Sequence, residues 1–216
     1  MRIIICGDST AACYDPRETC MRGWGQALCE LLPGADIRNH AMAGRSTGTF
    51  LREGRLARAA ADLEKGSLML IQFGHNDENR EKPERYVEPE HAYPANLEIF
   101  VNAAREREAL PVLMTPICIR NWQGGIHQGS HGIYPEKVRQ TARRLQVPCV
   151  DLYEDSLRVV EALGEEKSAG LFMNLSPGED PRFPEGKTDN AHTREAGARA
   201  FAELTARRLR ELGLIP

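Results

Sequence analysis

Short apolar runs alternate with segments of helical periodicity along the chain. The runs at residues 3–6, 68–71, 111–114 and 147–152 are short enough to be strands of a parallel sheet, and the more polar segment 35–39 suggests a further strand. Apolar residues recur three or four positions apart, as they do in amphipathic helices, around residues 22–32, 56–63, 97–104, 138–145 and 201–212. In the last of these helices, we expect Phe201, Leu204 and Leu212 to line one face.

The alternation of strand and helix predicts an α/β protein with a sheet of about five parallel strands. The 216 residues contain no internal repeat and no break in composition, so we expect a single domain over residues 1–216. Ligands of such sheets bind at the carboxyl ends of the strands. Two long polar segments, 78–89 and 117–135, are expected to be surface loops.

The composition excludes several classes of protein. Hydrophobic residues make up 41% of the chain and charged residues 27%, as in globular rather than disordered proteins. A net charge of −3 gives no bulk attraction to nucleic acid or to anionic lipid. No apolar stretch has the length of a membrane span or of a signal peptide, so we expect a cytoplasmic protein whose six cysteines are reduced.

Two serines compete for the role of a nucleophile. Ser46 lies in the sequence GRSTG at 44–48, a literal match to the G-x-S-x-G elbow of α/β-hydrolases, but the strand predicted before it is short and polar. Ser9 directly follows the first buried strand, in the sequence GDST at 7–10, where its side chain would project from the carboxyl edge of the sheet. Because Gly-Asp-Ser is also a common turn, neither motif decides the question alone.

A serine nucleophile needs a base, and the sequence DNAH at 189–192 offers one. If the Asp189 carboxylate folds back onto Nδ1 of His192, Nε2 is left to take the serine proton. Gly44 and Asn76 each lie near the end of a predicted strand and are candidate donors to a developing oxyanion. Taken separately, each of these features is also typical of a turn, a helix cap or a surface residue.

Taken together, these residues resemble the four sequence blocks of the SGNH hydrolases, the superfamily of GDSL-type esterases and lipases. The blocks supply Ser9, Gly44, Asn76 and the pair Asp189 and His192, and the resemblance extends from residue 3 to about residue 201. Four stretches are most similar to the rhamnogalacturonan acetylesterase branch: GWGQ at 23–26, NHAMAGRS at 39–46, QFGHND at 72–77 and DNAHT at 189–193. A threonine instead of leucine after Gly-Asp-Ser also fits that branch better than a lipase.

The resemblance implies a flavodoxin-like, three-layer α/β/α fold and ester hydrolysis without a metal or other cofactor. It implies that Ser9 is the nucleophile, that His192 is the base oriented by Asp189, and that the N–H groups of Ser9 and Gly44 and the amide of Asn76 bind the oxyanion. The implied substrate is an acetylated oligosaccharide derived from rhamnogalacturonan. Three alternatives remain: an esterase that acts on acetylxylan or another carbohydrate or small ester, a GDSL-type lipase or thioesterase, and a non-catalytic carbohydrate-binding domain.

Five further residues are candidates for binding the substrate: Asp8, Trp24, Arg45, His75 and Trp122. Arg45 stands beside Gly44, and we expect it either to hold its loop or to face an anionic sugar acid. The loop at 117–135 carries His127 and His131 at a spacing that a metal can use. No third ligand lies nearby in the sequence, so we expect both histidines to be exposed to solvent.

Overall fold

Five parallel strands form the central sheet. In a computed structural model, which describes residues 1–216, the strands in chain order are β1 (Arg2–Gly7), β2 (Asp36–Asn39), β3 (Leu68–Gln72), β4 (Leu110–Met114), the separate hairpin β5 (Trp122–Gln123) and β6 (Ile126–His127), and β7 (Cys149–Val150). The order across the sheet is β2-β1-β3-β4-β7, which is the flavodoxin-like order. The predicted α/β fold with about five parallel strands is confirmed.

Seven α-helices cover the two faces of this sheet. They are α1 (Trp24–Leu31), α2 (Thr47–Arg52), α3 (Arg55–Ala61), α4 (Ala92–Arg105), α5 (Tyr134–Leu145), α6 (Leu152–Ser168) and α7 (Glu195–Glu211), and a 3₁₀ turn follows α6 at Ala169–Leu171. Helices α1, α6 and α7 pack on one face, and helices α2 to α5 pack on the other. The molecule therefore has the three layers that the sequence resemblance implied.

The apolar runs are continuous because the central strands are buried on both faces. Successive side chains of a strand point to opposite sides, so Ile3 and Ile5 enter the core beneath α1 and α7. Ile4 and Cys6 enter the other core, which contains the aromatic side chains of α2 and α4. A strand with a solvated face would instead alternate apolar and polar residues.

The structure corrects the predicted elements in several places. Helices α2 and α6 were not predicted, and the last strand is shorter than the run at 147–152. Leu212 caps α7 and is 45% exposed, while Leu209 completes the buried face with Phe201 and Leu204. The segment 78–89 forms turns, as expected of a loop, whereas 117–135 contains the β5–β6 hairpin and the first residues of α5. None of the helices combines the length and apolar character needed to cross a membrane.

Candidate active site

Three of the predicted site residues follow three neighbouring strands. Ser9 follows β1, Gly44 follows β2 and Asn76 follows β3, and these strands lie side by side in the sheet. Their carboxyl ends therefore bring the three residues together. All three line one cleft of about 320 Å³, and His192, which precedes α7, lines the same cleft.

A continuous chain of polar contacts joins the serine to an acid. Ser9 Oγ lies 2.9 Å from His192 Nε2, and His192 Nδ1 lies 2.9 Å from Asp189 Oδ2. The other carboxylate oxygen, Asp189 Oδ1, accepts hydrogen bonds from the backbone N–H groups of Ala191 and His192 at 3.1 and 3.0 Å. These backbone bonds hold the carboxylate against the imidazole, in the arrangement that the DNAH spacing predicts.

The acid of this chain stays ionised because of its partners. Burial raises the pKa of Asp189, but the hydrogen bonds and the charge of His192 outweigh burial and hold the pKa well below its usual range. The Lys187 ammonium lies 3.5 Å from Asp189 Oδ2 and also favours the charged form. A carboxylate in this position stabilises an imidazolium that forms when the serine loses its proton.

Three candidate hydrogen-bond donors belong to residues that line the same cleft, Ser9, Gly44 and Asn76. The backbone N–H groups of Ser9 and Gly44 have no acceptor among the protein's own atoms. The amide nitrogen of Asn76 donates one hydrogen bond to the Arg45 carbonyl at 3.2 Å, and its oxygen accepts one from Arg85 Nη1 at 3.3 Å. These two bonds fix the orientation of the amide and leave one of its N–H groups for an oxyanion.

The backbone conformation of Gly44 favours glycine. Its backbone has a φ of +77°, which favours glycine over any residue with a side chain. A Cβ at this position would also lie 3.2 Å from Arg85 Nη1. Gly44 therefore lies close to the guanidinium of Arg85.

The competing serine has a structural role. Ser46 is fully buried, and its Oγ accepts a hydrogen bond from the Thr49 backbone N–H at 3.2 Å at the start of α2. The Thr49 hydroxyl accepts one in return from the Ser46 backbone N–H at 2.8 Å, which completes a capping box. Both hydrogen-bond partners of Ser46 are thus helix-capping groups, and no base is among them.

A buried ion pair lies beneath the cleft. Asp8 Oδ1 accepts hydrogen bonds from the backbone N–H and the hydroxyl of Thr10, and Asp8 Oδ2 lies 3.3 Å from His75 Nδ1. Burial raises the pKa of Asp8, but the charge of His75 and the hydrogen bonds from Thr10 lower it further than burial raises it. Burial likewise lowers the pKa of His75, yet the Asp8 carboxylate raises it above its usual value. Each group thus favours the charged form of the other.

Two of the five substrate-binding candidates have no surface to offer a ligand. Trp24 is fully buried, and its indole N–H donates to Gln72 Oε1 at 2.8 Å. Asp8 is also fully buried in the network described above. This burial excludes direct contact between either side chain and a substrate. The interpretation of Trp24 and Asp8 as binding residues is therefore corrected: both lie beneath the residues that line the cleft. His75 is nine-tenths buried but does line the cleft.

The other two candidates lie at the margin. Arg45 is held by the Glu53 carboxylate, with Nε–O distances of 3.1 and 3.2 Å, and it donates to the Ala43 carbonyl at 2.8 Å. It therefore holds its loop, which is the first of the two expected roles. Trp122 lies in the β5–β6 hairpin against the ring of His127, and it is not among the residues that line the cleft.

The two loop histidines differ from the expectation of solvent exposure. His131 is only 3% exposed, with Nε2 at 2.8 Å from the Ile117 carbonyl and Nδ1 at 3.0 Å from Glu78. His127 is half-buried, and its Nε2 lies 3.0 Å from the Ile119 carbonyl. Both rings hold the loop together, and no group of three or more His, Cys, Asp or Glu side chains is arranged to hold a metal ion.

The sequence reasoning missed three polar residues that line the cleft: Asn79, Lys82 and Arg85. They lie in the segment 78–89, which was expected to be a solvated loop. A signal was available, because the three residues follow Asn76 at intervals of three. This spacing places side chains on one side of a chain that forms successive turns.

Known proteins with similar sequences and structures cover nearly the whole chain. The chain is 39% identical to the rhamnogalacturonan acetylesterase RhgT of Bacillus subtilis over 216 residues, which cover 99% of this chain and 91% of RhgT. It is 37% identical to the probable rhamnogalacturonan acetylesterase YesY of the same organism, over 98% of this chain and 94% of YesY. The crystal structure of B. subtilis YxiM superposes with a TM-score of 0.82 at 25% identity, over 98% of this chain and 56% of YxiM.

The model of the GDSL-like lipase/acylhydrolase family matches residues 5–200. That range contains the three strand ends with Ser9, Gly44 and Asn76, and it contains the segment with Asp189 and His192. The resemblance seen in the sequence blocks is confirmed, and this chain belongs to the GDSL-like lipase/acylhydrolase family.

Proposed function

We propose that this protein is a serine esterase that removes O-acetyl groups from carbohydrate, with rhamnogalacturonan-derived oligosaccharides as its substrates. The observation that carries the proposal is the chain of 2.9 Å contacts from Ser9 through His192 to Asp189, beside candidate oxyanion donors in one cleft. The likeness to RhgT and YesY over nearly the whole chain supports the choice of substrate.

The first half of the reaction forms an acetyl-enzyme. Ser9 Oγ attacks the acetyl carbonyl carbon while His192 Nε2 takes the hydroxyl proton, and Asp189 stabilises the resulting imidazolium. The N–H groups of Ser9 and Gly44 and the Asn76 amide bind the oxyanion of the tetrahedral intermediate. The bond between the carbonyl carbon and the sugar oxygen then breaks, and His192 gives its proton to the departing sugar hydroxyl.

The second half releases acetate. A water molecule attacks the acetyl carbonyl while His192 takes one of its protons, and the oxyanion forms at the same donors. The bond to Ser9 Oγ breaks, and the imidazolium returns the proton to the serine. The residues of the chain supply every group that these steps use, so we propose that activity survives treatment with EDTA.

The walls of the cleft support a short acyl group on a polar alcohol. Of the eleven lining residues, only Ala43, Ile119 and Ala191 are hydrophobic. A long acyl chain gains binding energy by burying methylene groups, at roughly 0.8 kcal/mol each, and only these three lining residues offer hydrophobic side chains to cover them. A polar wall instead suits a sugar, whose hydroxyls need hydrogen-bond partners.

The rate of ester hydrolysis over a panel of substrates tests the proposal, measured by acetate release for the oligosaccharides and by p-nitrophenol release for the p-nitrophenyl esters. The panel contains acetylated rhamnogalacturonan oligosaccharides, acetylated xylo-oligosaccharides and p-nitrophenyl esters from acetyl to octanoyl, and Ser9→Ala serves as the control. We expect the highest kcat/KM for the rhamnogalacturonan substrate and a steady fall as the acyl chain of the p-nitrophenyl esters lengthens. A preference for xylo-oligosaccharides would overturn the choice of sugar, and a preference for octanoyl esters would overturn the acetylesterase assignment.

We also propose a cytoplasmic location. All six cysteines are free thiols, and Cys13 is exposed to solvent. Unpaired cysteines persist in reducing compartments, whereas secreted proteins tend to pair them. The test is to isolate the protein from its natural host in the presence of an alkylating reagent, and then to denature it and titrate its thiols. We expect the reagent to have blocked all six thiols and none of the cysteines to be in a disulfide.

A further inference from the structure

A series of turns leads away from the oxyanion donor Asn76 along one wall of the cleft. The backbone N–H of Asn79 donates to the carbonyl of Asn76 at 3.3 Å, that of Lys82 to Asn79 at 3.2 Å, and that of Arg85 to Lys82 at 2.8 Å. All four residues line the cleft, and we call them the polar wall: Asn76, Asn79, Lys82 and Arg85.

The rest of the protein holds the polar wall in place. The Val87 backbone N–H donates to the Asp77 carbonyl at 2.9 Å, and the Tyr134 hydroxyl donates to the Val87 carbonyl at 2.7 Å. The Arg52 guanidinium donates to the Glu84 carbonyl. A wall that is ordered before the ligand arrives loses less conformational entropy when the ligand binds.

The polar wall carries the only permanent charges of the cleft. None of the eleven lining residues is an aspartate or a glutamate, and Lys82 and Arg85 are the lining residues with permanent positive charge. The acidic partner of Arg85 is the adjacent Glu84, at 3.5 Å, whereas Arg45 is neutralised by Glu53. Although the whole chain has a net charge of −3, the permanently charged side chains that line this cleft are therefore both positive.

We infer that Lys82 and Arg85 form a carboxylate-binding subsite, by which the enzyme selects acetylated sugars that carry a uronate over neutral acetylated sugars. The planar guanidinium and the flexible ammonium both form charge-assisted hydrogen bonds with carboxylates. Asn79 lies between this subsite and the acetyl site at Asn76, where its amide is placed to bind a sugar hydroxyl. The inference rests on the proposed function, because it assigns the part of the substrate next to the acetyl group.

A matched pair of substrates tests the subsite. One is a mono-O-acetylated disaccharide with a free hexuronate, and the other is the same disaccharide with that carboxyl group methyl-esterified. We expect wild-type kcat/KM to favour the free acid by about tenfold, the value of one partly exposed charge-assisted hydrogen bond. Lys82→Gln is expected to remove most of this preference through KM, and Lys82→Arg to restore it.

Salt and two further variants sharpen the test. The preference of the wild type for the free acid is expected to fall as ionic strength rises, because salt screens exposed charges. Arg85→Gln also removes a bond to Asn76, so it is judged by the ratio of the two substrates and not by rate alone. The matched control is Lys65→Gln, which removes the same charge from the opposite edge of the sheet, where Lys65 pairs with Glu108, and it is expected to leave the ratio unchanged.

The possible outcomes separate the subsite from the proposed function. If the wild type releases acetate equally from both disaccharides, or if Lys82→Gln keeps the full preference, the subsite is wrong and the esterase assignment stands. If the wild type releases acetate from neither disaccharide nor from p-nitrophenyl acetate, the proposed function fails and the subsite fails with it.

Discussion

Ser9 and Ser46 stand at the same edge of the sheet, after two neighbouring strands, and differ in what their hydroxyls contact. Ser9 Oγ lies 2.9 Å from an imidazole that comes from a segment 183 residues away. Ser46 Oγ contacts the backbone of its own helix three residues on. The G-x-S-x-G motif surrounds the second serine and not the first. A short motif describes a turn, whereas a nucleophile needs a base that only the tertiary fold supplies.

The loop of Ser46 nevertheless supports the site of Ser9. The backbone N–H and the hydroxyl of Thr47 donate to Asp77 Oδ1 at 2.9 and 2.5 Å. Asp77 is the neighbour of Asn76, whose amide nitrogen donates to the Arg45 carbonyl in the same loop. The capped start of α2 is therefore tied to the oxyanion donor through two adjacent residues.

Ser9→Ala gives the largest effect that separates the two serines. Removing a nucleophile of this kind costs about 10⁵- to 10⁶-fold in kcat, since all three residues of a triad act as a unit. The measurement is the initial rate with p-nitrophenyl acetate, corrected for spontaneous hydrolysis, on protein shown to be folded by circular dichroism. Retention of even a tenth of wild-type kcat would rule out Ser9 as the nucleophile.

Asn76→Ala tests the donor that joins the two loops. If the amide binds the oxyanion, kcat falls about 10²- to 10³-fold while KM changes little, because the bond strengthens in the transition state. The same p-nitrophenyl acetate assay measures both constants. A rise in KM at unchanged kcat would instead make Asn76 a residue that binds the ground state.

Asp77→Asn tests the contact between the Ser46 loop and Asp77 through the pH dependence of stability. Burial raises the pKa of Asp77 to about 7, although both hydrogen bonds from Thr47 lower it. The folded protein thus keeps this proton up to about pH 7, whereas the unfolded chain releases it near pH 4. Raising the pH across this interval favours the unfolded chain, and the contribution of Asp77 to stability is lost between these values.

The free energy of unfolding gives the readout for Asp77. Relative to Asp77→Asn, that of the wild type is expected to fall by about 3 to 4 kcal/mol between pH 4 and pH 8. Urea unfolding of both proteins at several pH values measures the difference. A difference that does not vary with pH would show that Asp77 is ionised throughout.

Local features of the site were predictable from the sequence, and features that depend on burial were not. Asp189 and His192 are three residues apart, so one turn brings them together and the spacing itself predicts the contact. Trp24 is an aromatic residue in a stretch that resembles a carbohydrate esterase, which suggested a sugar contact. Its burial depends on α1 packing against the sheet, and no local pattern reports that packing.

The secondary structure shows the same difference between features that a local pattern predicts and features that depend on burial. The runs at 3–6 and 68–71 are apolar on both faces and identified the central strands. Helix α6 escaped prediction although Tyr153, Leu157 and Val160 recur at helical spacing, because its buried face also contains polar residues, Asp155 and Ser156 among them, and because Gly164, with a φ of +74°, breaks it near its end. Lys82 and Arg85 were overlooked because charged residues in a polar segment resemble a solvated loop until the turns place them in a cleft.

Ser46→Ala gives the smallest effect. Loss of the hydroxyl removes an N-cap, which costs about 1 kcal/mol of stability, or about 2 to 4 °C in Tm for a protein of this size. We expect kcat with p-nitrophenyl acetate to stay within about threefold of wild type, because the hydroxyl touches no reacting atom. Ser46→Thr, which keeps a capping hydroxyl without adding a charge at this buried position, is the matched variant and should recover most of the lost Tm. A loss of activity comparable to that of Ser9→Ala, in protein that remains folded, would identify Ser46 as the nucleophile and reverse the roles of the two loops.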